Sequence, residues 1–381
     1  MTHRKSSRPP MSPSWVEVDL GAIRHNVRAL KQVVGPGCGV WAVVKTNAYG
    51  HGLEEVARAA APGAAGLAVS TFAEGAKLCR AGIHHSILLL CAGDPRRAGH
   101  IVRLGLVQTL CEAETARALS RASQRLGKPA RVHLKIDTGM GRLGIRPEEA
   151  VPFAQCILRL PGVRLEGVFS HLATAEENPT YARVQYERFC KALRSLSAAG
   201  IDPGVRHLAN SAAALRFPEM RLDGVRAGLL IYGIRPDAPG LAPVDLRPAL
   251  TWKTRVAFTH SLPAASPVSY GGTYVTHRDC LVGVLPVGYA DGYPRQASNR
   301  GYVLVRGRPC PVIGKVCMDH TMVDLTPAER AGVGDEAVLI GRQGEPGITA
   351  NHLAKWARAV VHEVTTLIAH RVKRVYVDET A

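Results

Sequence analysis

The chain has 381 residues, 46% hydrophobic and 21% charged, enough to bury full cores in more than one domain. Its net charge of +17 comes from arginines and lysines spread along the whole length, with no dense basic run interleaved with aromatics, which argues against nucleic acid as a partner. No apolar run reaches the roughly 20 residues that span a bilayer, and nine cysteines without a CxxC pair give no disulfide framework, so a reduced, cytoplasmic protein away from membranes is expected.

The opening "MTHRKSSRPPMSPS" is basic and rich in Pro and Ser, with no apolar segment behind it. It reads as a disordered arm over residues 1–13 rather than a signal peptide. The helical stretch "LGAIRHNVRALKQVV" follows and is expected on the outside of what comes next. Eight short apolar runs then succeed one another: "GVWAVV", "GLAVS", "SILLL", "LVQTL", "RVHLKI", "RLEGVFS", "GVRHLA" and "GVRAGLLIYG". Between most of them lie stretches of helical period, such as "ARVQYERFCKALRSLSAAG", stopped by Gly200. Strand–helix units in series predict a TIM-type (β/α)8 barrel over residues 14–238, with an open doubly wound sheet as the competitor. A Pro-rich linker, "RPDAPGLAPVDLRP", leads into short strands punctuated by Gly and Pro. Residues 239–381 therefore predict a mostly-β domain, with one clear helix around "ANHLAKWARAV".

Within the first apolar run, "VWAVVKTNAYGHG" ends its strand on one lysine, Lys45. A barrel places its chemistry at such strand ends. A solvated lysine closing a strand is the plain reading. A lysine in an apolar setting has a lowered pKa, and its neutral amine can form a Schiff base with a carbonyl. Later strand ends also carry polar groups: "KIDTGMGRLG", "SHLA" with His171, "HLANSAA" with His207, Asn210 and Ser211, and "VRAG" with Arg226. Several strands ending this way point to one site. No metal is expected, since the fifteen histidines include no HExxH. "GMGRLG" satisfies GxGxxG, but Lys135, Asp137 and Thr138 separate it from the apolar strand and Pro147 starts the helix beyond it, so a dinucleotide site is disfavoured.

The ordered blocks "AVVKTNAYGHG", "KIDTGMGRLGI", "SHLATAEE", "HLANSAA", "VRAGLLIYG", "VSYGGTY", "GYADGYP", "GKVCMDH" and "RVKRVY" resemble those of the alanine racemases, enzymes of fold type III dependent on pyridoxal 5'-phosphate (PLP). The match runs from about Trp15 to Tyr376, with Thr46, Glu176 and Lys315 as departures from the commoner residues and no proline before the last arginine.

The resemblance implies an isomerase that interconverts L- and D-alanine by a two-base mechanism and supplies D-alanine for peptidoglycan. A racemase of wider specificity, for serine among others, is the alternative. It implies Lys45 as the PLP lysine and one base, and Tyr289 as the second base. Tyr49, Ser211, Gly228, Leu229 and Tyr376 would hold the phosphate, with Asn210 beside them. Arg226 would face the pyridine nitrogen, supported by His207, with His171 between Arg226 and Tyr289. Arg142, Met318 and Asp319 would meet the small amino-acid substrate. Lys135 is implied to be carbamylated, which suits a lysine converging with Arg142 at a strand end, where two cations repel. A homodimer with shared active sites is implied, because the β domain of one subunit closes the site of the other.

Overall fold

The computed structural model describes residues 12–378, so the arm expected over residues 1–13 lies, except for its last two residues, outside the described range. The described residues divide into two compact units, residues 22–48 with 53–247, and residues 12–21 with 49–52 and 248–378.

The first unit is a closed parallel barrel, which removes the open-sheet alternative. Its strands are β2 (Gly39–Val43), β3 (Gly66–Val69), β4 (Ile87–Ala92), β5 (Val107–Leu110), β6 (Ala130–Lys135), β7 (Val163–Phe169), β8 (Val205–His207) and β9 (Gly224–Ala227), β1 being described below. All eight coincide with the apolar runs. Every residue of β3, β5 and β9 is buried, which is why these strands read as continuous apolar stretches instead of alternating ones. The ring closes where β2 pairs with β9, Gly39 opposite Gly224 and Ala42 opposite Ala227.

The outer layer departs from a helix after every strand. A 3-10 turn, Leu229–Tyr232, follows β9. Helix α1 (Leu20–Val34) packs there instead, burying Ile23, Asn26, Val27, Leu30 and Val34 at helical spacing. Buried Asn26 donates to the carbonyls of Ile231 (3.1 Å) and Arg247 (2.8 Å) and accepts from the Arg247 N–H (2.8 Å). This one amide ties the helix that precedes the barrel to the segment that leaves it.

The second unit is built on a mixed sheet ordered Arg308–Pro311, Tyr302–Val305, Glu336–Arg342, Leu250–Arg255, Ser14–Asp19, Lys373–Val377. The strand β1 (Ser14–Asp19) lies antiparallel to Leu250–Arg255 and parallel to Lys373–Val377. The barrel expected to begin at residue 14 therefore begins later, because Trp15, Val16 and Val18 are buried in this sheet. The same unit holds a three-stranded sheet of Phe258–Leu262, Cys280–Leu285 and Thr321–Asp324. Helices Ala350–Ala357 and Val361–Thr366 make one more than expected. The second, "VHEVTT", is rich in β-branched residues of weak helix propensity, so it left no signal. No helix of the described residues is long and apolar enough to cross a membrane.

Candidate active site

Lys45 lies one residue beyond β2, after Val44, and the chain then makes a left-handed turn. Thr46, Asn47, Ala48 and Tyr49 have φ of 54°, 52°, 53° and 52°. Each non-glycine residue in that region costs about 1–2 kcal/mol, so such a turn persists only where its surroundings hold it. Glu74 accepts from the Thr46 N–H, Asn47 Oδ1 accepts from the Leu53 N–H at 3.0 Å, and the Ala48 N–H donates to the Val44 carbonyl at 2.9 Å. The Tyr232 hydroxyl fixes the strand end by donating to the Val43 carbonyl at 2.9 Å. Burial, and then the Arg142 charge, lower the Lys45 pKa, which favours the neutral amine that a nucleophile or base needs.

Arg142 is carried by the loop after β6, and Asp137 shapes that loop. Its Oδ1 accepts from the N–H groups of Gly139 (2.9 Å) and Met140 (2.8 Å), and its Oδ2 from that of Arg142 (2.9 Å). Burial would raise the Asp137 pKa, but these bonds outweigh it and hold the carboxyl below its usual range. The glycines of "GMGRLG" have a local use. A Cβ on Gly144 (φ 132°) would lie 2.6 Å from the Asp137 nitrogen, and one on Gly139 (φ 136°) 2.3 Å from the Tyr181 hydroxyl. They permit a tight loop, which accounts for the motif without a dinucleotide. Lys135, the last residue of β6, is buried with its Nζ 4.3 Å from the Phe169 ring centroid. Burial, then Arg226 and Arg142, push its pKa well below the usual lysine range. A small pocket lined by Lys135, Met140, Arg142, Ser170 and His171 adjoins it.

Arg226, on β9, is buried and makes five hydrogen bonds. Its Nη1 donates to His207 Nδ1 (2.9 Å) and the His207 carbonyl (3.1 Å). Its Nη2 donates to the carbonyls of Ser170 (2.7 Å) and Leu208 (3.0 Å) and to His171 Nδ1 (3.1 Å). All five acceptors are neutral, and among the described residues no carboxylate pairs with it. Burial, then Arg142, bring its pKa down to about 9, still above neutral pH, so the guanidinium keeps its proton. The His171 and His207 pKa values lie well below the usual imidazole range, from burial first and Arg226 next, and both rings are neutral.

Ser211 opens the helix Ser211–Arg216, and its Oγ accepts from the Gly228 N–H at 3.1 Å. Leu229 begins the 3-10 turn after Gly228, where N–H groups lack acceptors within the turn. An anion placed there meets a hydroxyl and free N–H groups. Asn210 does a structural job, since its side chain caps the helix by accepting from the Ala213 N–H at 3.0 Å.

The remaining candidates sit on the second unit. Tyr49 is buried, its pKa pushed up to about 12 by that burial, and its ring lies 5.7 Å from that of His362. Tyr376 reaches the same segment, because a Cβ on Gly52 would lie 1.9 Å from its hydroxyl. Tyr289 and Met318 are neighbours: the Tyr289 N–H donates to the Cys317 carbonyl and the Ala290 N–H to the Met318 carbonyl, both at 3.0 Å. The Asp319 carboxylate accepts from Arg371 (2.6 Å), which also donates to Asp291 (2.7 Å). Asp291 in turn accepts from the Gly288 N–H (3.0 Å), so Arg371 pins the turn bearing Tyr289 to the loop bearing Met318. Asp137 and Arg371 are the residues that sequence reasoning passed over as parts of the site. Only charge at a strand end could have signalled the first.

A closed (β/α)8 barrel with a lysine, two histidines, an arginine and an anion cradle at its strand ends, joined to a β unit carrying an exposed tyrosine, defines a barrel enzyme with its chemistry at the C-terminal ends of the strands. Residues 18–236 match the model of the alanine racemase N-terminal domain, and residues 249–376 that of the alanine racemase C-terminal domain. An alanine racemase of Symbiobacterium thermophilum is 50% identical over 375 residues, covering 97% of this chain and 99% of the relative. That of Desulfovibrio desulfuricans is 42% identical, covering 96% and 98%. The crystal structure of alanine racemase from the D-cycloserine producer Streptomyces lavendulae superposes with a TM-score of 0.91 at 37% identity, covering 98% of this chain and 99% of that one. The Bacillus anthracis enzyme with bound L-Ala-P gives 0.89 at 35% identity, covering 98% and 97%. The chain belongs to the alanine racemase family. Its activity is the interconversion of L- and D-alanine, and the relatives support alanine rather than serine as substrate.

Proposed function

We propose that the chain binds PLP covalently through Lys45 and racemises alanine with Lys45 and Tyr289 as bases on opposite faces of the substrate, providing D-alanine for peptidoglycan in the cytoplasm. The observation that carries this reading is Arg226, charged, buried and surrounded by neutral acceptors. The residues present fit the cofactor: the lowered Lys45 pKa suits carbonyl condensation, and the Ser211 hydroxyl with the N–H groups that open the turn at Leu229 suits a phosphate, with Gly228, Tyr49 and Tyr376 as further proposed contacts. When bound, PLP withdraws electrons from the substrate's α-carbon. Arg226 keeps its proton, so opposite a pyridine nitrogen it would leave that nitrogen unprotonated and keep the withdrawal modest, which favours proton exchange over decarboxylation.

From D-alanine, Lys45 Nζ takes the α-proton and Tyr289 Oη delivers one to the opposite face; from L-alanine, Tyr289 Oη takes the proton and Lys45 Nζ delivers one. Neutral His171, its Nδ1 occupied by Arg226, carries its proton on Nε2 and can donate to the tyrosine oxygen. Arg142 meets the substrate carboxylate, and Met318 with Asp319 lines the approach.

The neutral Lys135 amine can add to carbon dioxide, forming an N–C bond and releasing one proton, to give a carbamate. The charge reversal supplies Arg142 with an anionic partner. A crystal grown at neutral pH under ambient carbon dioxide should show a planar carboxylate on Lys135 Nζ, and a bare amine there would contradict this.

We also propose a homodimer whose sites are shared. Tyr289, Met318, Leu367 and Tyr270 are exposed on the second unit, at 43%, 55%, 64% and 72%, and such apolar exposure calls for a covering surface. Mixing inactive Lys45→Ala and Tyr289→Phe subunits should restore activity to about a quarter of the wild-type sites, because each mixed dimer regains one intact pair and half the dimers are mixed. No recovery after verified subunit exchange would rule out sharing.

A further inference from the structure

His133 lies on β6 inside the barrel, buried, and plays no part in the reading above. Its Nδ1 is 2.9 Å from His207 Nε2. An arginine only donates, so His207 Nδ1, 2.9 Å from Arg226 Nη1, must be an acceptor. The proton of neutral His207 therefore sits on Nε2 and is donated to His133, whose Nδ1 must be bare. The two rings form a one-directional chain in which each tautomer dictates the next.

The packing leaves these rings little freedom. Phe169 stacks on His207 with centroids 4.7 Å apart and planes 4° from parallel, and Trp41 stacks on it at 5.8 Å and 14°. Trp41 also meets His133 edge-on at 5.6 Å. Space for the His133 ring comes from Gly167, where a Cβ would lie 2.7–2.8 Å from three ring atoms. Burial, and then Arg131 and Arg226, bring the His133 pKa down to about 3, so the ring is a neutral acceptor at any pH at which the enzyme works.

We propose that His133 is a positioning residue for racemisation: by accepting the His207 proton at Nδ1, it keeps the His207 Nδ1 lone pair aimed at Arg226 and so fixes the plane and charge of that guanidinium. This rests on the role given to Arg226, but the proton positions can be read without it. Without His133, His207 has no partner for Nε2–H in the barrel interior and gains by moving its proton to Nδ1, where it opposes an Arg226 N–H.

Neutron diffraction from a perdeuterated crystal of the holoenzyme should show deuterium on His207 Nε2 and none on His207 Nδ1 or His133 Nδ1. His133→Leu should lower kcat about tenfold in both directions at nearly unchanged KM, the scale of one buried hydrogen bond. His133→Asn, whose Oδ1 takes the place of Nδ1, should stay within about threefold of the wild type. Deuterium on His207 Nδ1 or His133 Nδ1 overturns the proposal even if a variant does not fold. Equal kcat for folded Leu and Asn variants overturns it as well. Activity surviving in Lys45→Ala would sink the cofactor assignment and leave the proton positions untouched.

Discussion

Lys45→Ala is expected to abolish racemisation, by roughly 10⁴-fold or more, because it would remove the proposed covalent anchor and one of the two proposed bases at once. The variant should bind PLP weakly, through the phosphate cradle alone, and lack the yellow colour expected of the purified enzyme. The fold should survive, since Lys45 pairs with no carboxylate among the described residues and the left-handed turn after it is held by Glu74, Asn47 and Tyr232. Borohydride reduction of the wild type followed by peptide mapping checks the assignment, and reduced cofactor on any other lysine would refute it.

The second large effect is that of Tyr289→Phe. Loss of one general base costs about 10²–10⁴-fold, and racemisation needs both faces in every turnover, so kcat should fall by the upper end of that range in both directions. PLP content should be unchanged, because the Tyr289 hydroxyl has no part in the cradle. The backbone of the turn is secured independently by the Asp291–Arg371 pair and by the bond from the Tyr289 N–H to the Cys317 carbonyl, so the phenylalanine should sit where the tyrosine did. Equal losses of PLP and activity would point to a structural role instead.

The barrel was legible because its strands are largely buried, β3, β5 and β9 wholly so, and read as short apolar runs, with caps and glycines marking the helices between. β1 was not, because the hexapeptide "SWVEVD", with apolar residues only at Trp15, Val16 and Val18, carries no mark of which sheet it will join. Its partners Leu250–Arg255 and Lys373–Val377 are hundreds of residues away. Lys45, His171, His207 and Arg226 were legible as polar residues closing apolar strands. The left-handed turn was not, since Thr, Ala and Tyr do not favour positive φ, one Asn among them is a weak signal, and tertiary ties hold the turn there. Asp137 was read only as an interruption of a glycine motif, whereas its carboxylate organises the loop that carries Arg142. Arg371 could not be read at all, because its meaning depends on Asp291 and Asp319 meeting across distant turns. His133 looked like one more strand residue, and its value lies in a neighbour 74 positions away.

The claim at the centre of this account is that Lys45 and Tyr289 serve opposite faces of the α-carbon. Incubating Tyr289→Phe with each enantiomer of alanine in heavy water tests it directly. With Lys45 intact, D-alanine should take up α-deuterium with retention of configuration, while L-alanine exchanges far more slowly and neither is racemised. Equal exchange of the two enantiomers, or faster exchange of L-alanine, would contradict the assignment of the faces.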